Sequence, residues 1–224
     1  MAEAQLPLDL GHRPALGGAD FLVAPSNAAA VAWLDRWPEW SGPALALAGP
    51  TGSGKTHLAH VFTARSGALL LAPGDLTVAA VGDRLGAARA VALDRAETAD
   101  EEALLHLYNL LAERRGHLLV VARQPPARWG IALADLRSRL LTAPVALIAP
   151  PDEGLLSAVL VKLFADRQIQ VGEEVVAYLL ARFERSFAAA QSAVVALDQA
   201  ALAARRRVTI PLVRAVLGEE SPEE

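Results

Sequence analysis

The chain contains no cysteine in 224 residues, which excludes disulfides, thiolate metal sites and a cysteine nucleophile and is compatible with a reducing compartment. Aromatic residues make up only 5% of it, against 53% hydrophobic residues. The core is therefore built from alanine, leucine and valine, a composition that suits a helix-rich α/β protein better than a β-sandwich. Lysine is almost missing too: of 21 basic residues only Lys55 and Lys162 are lysines, so arginine serves wherever positive charge alone is needed. The net charge of −4 supplies no global positive field for duplex nucleic acid. The first fifteen residues lack a basic region followed by a continuous apolar one, so no signal peptide is predicted. Charged residues are expected to interrupt every apolar run before the roughly 18–20 residues of a spanning helix. These readings predict a cytoplasmic protein that does not enter a membrane.

What is present divides into three parts, within a length that can bury one full domain and a smaller one. Residues 1–20 carry Gln5, Pro7, Asp9, Gly11, Pro14, Gly17 and Gly18, a breaker-rich composition that predicts a flexible arm. Residues 21–150 predict a base domain, opening with a helix over 25–37 capped by Ser26 or Asn27. Five short apolar runs follow at 43–49, 68–72, 89–94, 117–122 and 144–149, read as buried strands. Helices are expected after the first run to about residue 65, near 100–115 and over 132–141. This alternation argues for a parallel five-stranded sheet covered on both faces, a three-layer αβα domain. Residues 151–224 switch to helices alone, over 152–167, 173–184, 187–204 and 209–217, the last capped by Thr209 with Pro211 in its first turn. A small all-α domain is predicted, ending in a solvated acidic EESPEE.

Chemistry concentrates in GPTGSGKT at 49–56, which fits the phosphate-binding pattern G-x-x-x-x-G-K-[ST] at every required position, with a strand before it and a helix after it. Gly49, Pro50, Thr51, Gly52, Ser53, Gly54, Lys55, Thr56 and His57 are the candidate nucleotide-binding residues. Gly52 and Gly54 let the backbone curl so that its N–H groups and a helix N-terminus face negative charge. Lys55 adds a point charge on the β- and γ-phosphates, and the Thr56 hydroxyl can ligate Mg²⁺. Such a loop needs an acidic partner for the metal at the end of a neighbouring strand, and RAVALD offers Asp94; a turn-capping aspartate is the alternative. The next residue is Arg95, where hydrolytic relatives carry a second acid to position water, and Glu97 is the available substitute. His12, His57, His60, His106 and His117 show no metal-ligand spacing and read as structural or surface residues.

The loop GPTGSGKTHLAH, the strand RAVALD, the segment LVVARQPPARWGIALADLRSRL and the helical last third resemble an AAA+ ATPase of the DnaA type, and ADFLVAPSNAAA resembles the segment ahead of the loop in that family. The resemblance spans residues 19–217 and is specific in the loop and in ADLRSRL, looser elsewhere. It implies ADP or ATP with Mg²⁺ as ligands and a lid formed by the helical domain. It also implies that Arg139 is an arginine finger acting in trans on a neighbouring subunit's nucleotide, with Arg137 beside it. An always-charged planar fork suits developing phosphoryl charge; a solvated helix face is the other reading of both arginines. Two departures bear on turnover. Arg123-Gln124 stands where the family places a small polar sensor, and Ala188 stands where the lid presents a sensor arginine, the nearest one being Arg185. With Arg95, these imply slow or absent hydrolysis by the chain itself.

Initiators of this family continue into a helix-turn-helix domain that reads duplex DNA, whereas this chain ends at Glu224. The one dense basic cluster, Arg205-Arg206-Arg207, reads as a solvated helix end, so sequence-specific duplex binding is not expected. The arm carries QLPLDL, which resembles the Q-x-x-L-x-L peptides that bind the DNA polymerase sliding clamp, its beta subunit. On that analogy Gln5 bonds at a pocket rim, while Leu8 and Leu10, following Leu6, enter an apolar groove, and Pro7 limits the conformations frozen on binding. Leucines packed on the chain's own core are the alternative. Together the parts resemble the Hda-like, DnaA-related regulators of bacterial replication initiation. The implied function is clamp binding and stimulation of ATP hydrolysis by DnaA, which would negatively regulate initiation. A DnaC-type helicase loader, or another AAA+ ATPase associated with single-stranded DNA, is the runner-up, and a P-loop kinase a more distant one. Apolar surface is compatible with a homodimer.

Overall fold

The computed structural model describes residues 23–218. Gln5, Leu6, Leu8 and Leu10 lie outside the described residues, as does EESPEE. The chain divides into two compact units, one running to Pro50 and from Gly54 to Ala149, the other comprising Thr51–Ser53 and the residues from Pro150 onward.

In the first unit all five apolar runs form strands: β1 (Ala44–Ala48), β2 (Leu69–Leu71), β3 (Ala90–Leu93), β4 (His117–Ala122) and β5 (Val145–Leu147). They make one parallel sheet in the order β2-β3-β4-β1-β5. Period-two alternation sorts its side chains. Ala44, Ala46, Leu118 and Val120 face one core, with Val91 and Leu93. Leu45, Leu47, Leu119 and Val121 face the other, with Ala92 and Ala146. Helices α1 (Ala28–Asp35) and α2 (Lys55–Ser66) cover the second face; α3 (Val81–Leu85), α4 (Glu101–Glu113) and α5 (Ala134–Leu141) cover the first. Full burial of one side chain such as Phe62, 1% exposed, contributes about 2 kcal/mol.

Several expectations need correction. The runs at 68–72 and 144–149 are not buried strands but the two edges of the sheet, where Leu70 and Leu147 are exposed. The first helix spans only Ala28–Asp35; Asn27 occupies its cap position, but its carboxamide oxygen accepts from the Ala24 N–H at 2.9 Å rather than from the helix. Helix α3 went unmarked in the sequence, because VGDRL is too short for a period and contains glycine; Val81 and Leu85, four apart, bury it.

The second unit contains α6 (Glu153–Ala165), α7 (Glu173–Leu180), α8 (Phe187–Ala204) and α9 (Ile210–Leu217). Its core gathers Leu160, Phe164, Leu179, Val194, Leu197 and Val213. Asp152 caps α6 through the Leu155 N–H at 2.8 Å, and Ser186 caps α8 through the Ala189 N–H at 3.1 Å, each worth about 1 kcal/mol. Thr209 stands at the cap position of α9 without a capping hydrogen bond. By length and composition α8 is long and apolar enough to cross a membrane, although Asp198 interrupts its apolar run as expected. Here Ala190, Ala193, Val194 and Leu197 bury one face of it in the core, and Asp198 meets Arg167 at 3.7 Å.

Candidate functional site

The phosphate-binding pattern falls where the interior strand β1 gives way to α2. As the chain leaves the sheet, the Gly49 N–H donates to the Ala122 carbonyl at the end of β4, at 3.3 Å. Gly52 at φ +72° and Gly54 at φ +90° occupy the left-handed region, which disfavours other residues by about 1–2 kcal/mol. Lys55 is the first residue of α2 and Gly54 its cap residue, with no capping side chain. The first N–H groups of α2 thus have no intrahelical acceptor, and an anion placed there gains about 0.3–1 kcal/mol from the helix dipole. His57 is exposed on that first turn.

Lys55 Nζ donates to the Pro50 carbonyl at 2.6 Å. Burial pushes its ammonium below the ordinary lysine range, while the carboxylates of Asp94 and Glu97 pull it back up and Arg123 adds to the lowering. The Thr56 hydroxyl donates to Asp94 Oδ2 at 3.1 Å, and the Arg95 N–H donates to Asp94 Oδ1 at 2.9 Å. Asp94 does not come from a strand adjacent to β1, because β4 lies between β1 and β3. Thr56 spans that gap, and Arg123, the residue after β4, adds its charge to the surroundings of Lys55. A hydroxyl and a carboxylate meeting at a helix N-terminus are hard oxygen donors, and they fit Mg²⁺, which takes one or two protein ligands beside phosphate oxygens.

Glu97 sits on a short turn, Ala96–Thr98, after β3. Its Oε1 accepts the Arg123 N–H at 3.0 Å, while Oε2 is buried with no hydrogen-bond partner among the described residues. The turn after Asp94 is thereby tied to the end of β4. Glu101, which sequence reasoning passed over, holds the next segment: its carboxylate accepts the Ala132 N–H at 3.0 and 3.1 Å and the Leu133 N–H at 2.8 Å. It therefore ties down the two residues just ahead of α5, whose cap residue Leu133 has no capping side chain.

The arginines of α5 differ. Arg139 donates through Nε and Nη2 to the two oxygens of Asp135, at 3.0 and 3.2 Å, and its guanidinium lies 5.5 Å from the centre of the Tyr108 ring. Burial raises the Tyr108 phenol above its usual range and the Arg139 charge opposes that shift. Arg137 is exposed and its side chain makes no hydrogen bond or ion pair among the described residues. In the second unit Ala188 is exposed on the first turn of α8, and Arg185 pairs with Glu153 at 3.2 Å.

The Hda lid domain family matches residues 154–217. Among solved structures, domain III of the Thermotoga maritima replication initiation protein DnaA is similar with a TM-score of 0.75 and 18% identity, over 89% of this chain and 94% of that one. The Thermotoga maritima RuvB Holliday junction branch migration motor gives 0.69 and 16% identity, over 86% of this chain and 66% of that one. AMPPCP-bound DnaA from Aquifex aeolicus gives 0.62 and 16% identity, over 78% and 62%. The chain spans less than two thirds of these last two proteins. The fold is that of the P-loop AAA+ proteins, a parallel five-stranded αβα unit followed by a helical lid.

Proposed function

We propose that this Hda/DnaA-like AAA+ chain is a nucleotide-dependent regulator of replication initiation that binds the DNA polymerase sliding clamp and stimulates ATP hydrolysis by DnaA. The observation that carries the reading is the meeting of Thr56 with Asp94 at 3.1 Å beside Lys55, whose charge burial disfavours and the Asp94 and Glu97 carboxylates favour. In this account the loop Gly49–His57 holds ADP or ATP, its N–H groups and Lys55 facing the phosphates. Thr56 and Asp94 hold Mg²⁺, which when bound neutralises phosphate charge. Arg95 stands in place of a water-orienting acid, and Glu97 already gives one oxygen to the Arg123 N–H. The chain's own turnover is therefore slow, and bound nucleotide serves to order the base domain, residues 21–150, and the lid, residues 151–224.

Arg139 is the group offered to the partner. It exchanges Asp135 for the phosphoryl oxygens of ATP held by DnaA, where a planar, permanently charged fork offsets developing negative charge. ATP-bound DnaA becomes ADP-bound DnaA, and re-initiation is suppressed. Residues 1–20 act as the address: Gln5, Leu6, Leu8 and Leu10 engage the clamp as an extended segment, which links a cytoplasmic protein to replicating DNA.

The test compares clamp affinity of the intact chain with that of the Gln5→Ala, Leu8→Ala double variant by surface plasmon resonance. Loss of about tenfold or more is expected, since anchor side chains carry most of the energy in such short motifs. Equal affinity would overturn the clamp reading and leave a helicase loader as the better account.

A further inference from the structure

Helix α8 ends in an unusual way. The chain turns out of it through Arg205 at φ +50°, in the left-handed region where glycine is the common choice. The turn is held by the Arg205 N–H donating to the Leu202 carbonyl at 3.2 Å and the Arg206 N–H donating to the Ala201 carbonyl at 3.0 Å. Gln168, after α6, is likewise left-handed at φ +61°. Both residues line one open cavity of about 500 Å³ in the second unit. Non-glycine residues held in this conformation concentrate at sites that use them.

The lining has two characters. Ile169, Ala201 and Val208 form an apolar wall, joined by Leu202, which is 79% exposed. Opposite that chemistry stand Arg205, Arg206 and Arg207, all exposed, whose side chains make no hydrogen bond or ion pair among the described residues. Asp198, the carboxylate in the lining, meets Arg167 at 3.7 Å. The carbonyls at the end of α8 favour a cation in the last turn, but that influence fades within a turn, and Arg206 and Arg207 lie beyond the helix.

We infer that this cavity is a docking site for an acidic peptide segment of a partner protein, one that carries an aliphatic side chain among its carboxylates. Guanidinium forks match carboxylates in bidentate geometry, and three unpaired cations on consecutive residues repel one another until an anion joins them. Gln170 can donate to a peptide carbonyl, and Leu202 gives the aliphatic side chain an apolar contact. No aromatic residue lines the cavity, so it lacks the stacking platform that single-stranded nucleic acid uses. The site belongs to the lid alone and stands whether or not the clamp reading holds.

The test is fluorescence anisotropy of the full chain with a fluorescein-labelled pentapeptide, Glu-Glu-Leu-Glu-Glu, at low ionic strength. Saturable binding is expected, weakened at least tenfold in Arg206→Glu, Arg207→Glu, a pair that leaves the strained Arg205 in place. The charge-reversed peptide Lys-Lys-Leu-Lys-Lys should bind that variant more tightly than it binds the parent, an outcome that unfolding would not produce. Leu202→Ser should weaken the acidic peptide about threefold and leave a peptide with serine in place of leucine unaffected. Equal affinity of parent and Glu variant for the acidic peptide would overturn the proposal. So would tighter binding of a labelled oligothymidine through the same arginines, which would make this a nucleic-acid site. Removal of residues 219–224 raising peptide affinity tenfold would make the chain's own acidic end the occupant and overturn the partner assignment.

Discussion

Lys55 sits at the start of α2 among charges supplied by three residues from two other places in the chain, Asp94 and Glu97 after β3 and Arg123 after β4. Arg139 lies on α5 with a carboxylate from its own helix, one turn back, and a ring from α4. The first environment is assembled by the sheet and cannot be given up without moving strand ends. The second is an exposed i,i+4 pair, worth about 0.3–0.5 kcal/mol, with a cation–π contact of about 0.5–1 kcal/mol. The difference teaches what each positive charge is prepared for. On the proposed function, Lys55 is held for a ligand of this chain, whereas Arg139 rests on exposed partners that an incoming phosphate would displace at small cost.

The largest effect expected from that contrast concerns Arg139. Arg139→Ala should reduce clamp-dependent stimulation of DnaA's ATP hydrolysis on the order of 10³-fold, the usual worth of an arginine finger, while the variant's own nucleotide affinity stays within twofold. Phosphate release under single-turnover conditions measures the first quantity and calorimetry the second. Retained stimulation would remove the role assigned to Arg139 and turn attention to its exposed neighbour Arg137.

Lys55→Ala should do the reverse, lowering nucleotide affinity about 100-fold through loss of a charge-assisted contact to phosphate. The nucleotide-free protein should not lose stability. Because burial lowers the Lys55 value, the folded chain holds this proton less tightly than the unfolded one. The resulting penalty is full below the lowered value and disappears as pH rises past the ordinary 10.5. Urea unfolding of the variant should therefore lack the alkaline rise that the parent shows, and destabilisation at neutral pH would contradict the picture.

How far the sequence carries a reader differs between the two regions for the same reason. The runs ALALA, AVAL and HLLVVA form strands because uninterrupted aliphatic residues between breakers suit only a sheet covered on both faces. The left-handed glycines and the helix start at Lys55 follow from the loop pattern itself. What spacing does not encode is contact between distant turns. Glu97 with Arg123, and Glu101 with the start of α5, join residues 26 to 32 apart, and no periodicity announces them. Edge position is hidden likewise: Leu147 is as aliphatic as Leu47, and only the strand order makes one exposed and the other buried. The lid cavity needed the fold as well, since RRR reads as a solvated helix end until Arg205 is seen to reverse the chain.

A subtler alteration of the Lys55 environment is Glu97→Gln. It removes one negative charge near the phosphate position and keeps an oxygen for the Arg123 N–H. Nucleotide affinity should rise about threefold, as expected for one carboxylate acting across a partly solvated site. A fall in affinity would mean that Glu97 works through the shape of the β4 end and not through its charge.

The smallest effect separates burial from function. His117 begins β4, and its ring lies 5.4 Å from that of Trp40 and 6.2 Å from that of Trp37. Burial lowers its value below the ordinary 6.5, and a hydrogen bond with the Pro38 backbone opposes the shift. Like Lys55, it is a base whose proton the fold disfavours, yet it stands at the start of a parallel strand, while the loop, Asp94 and Arg123 all follow strand ends. The folded chain binds the His117 proton less tightly than the unfolded chain, so its contribution is whole above pH 6.5 and declines as pH falls toward and through the lowered value. His117→Phe should flatten that acid slope in urea titrations, with nucleotide affinity unchanged at every pH. If nucleotide affinity followed His117, a lowered value alone would not separate a packing residue from a site residue, and the distinction drawn from strand ends would fail.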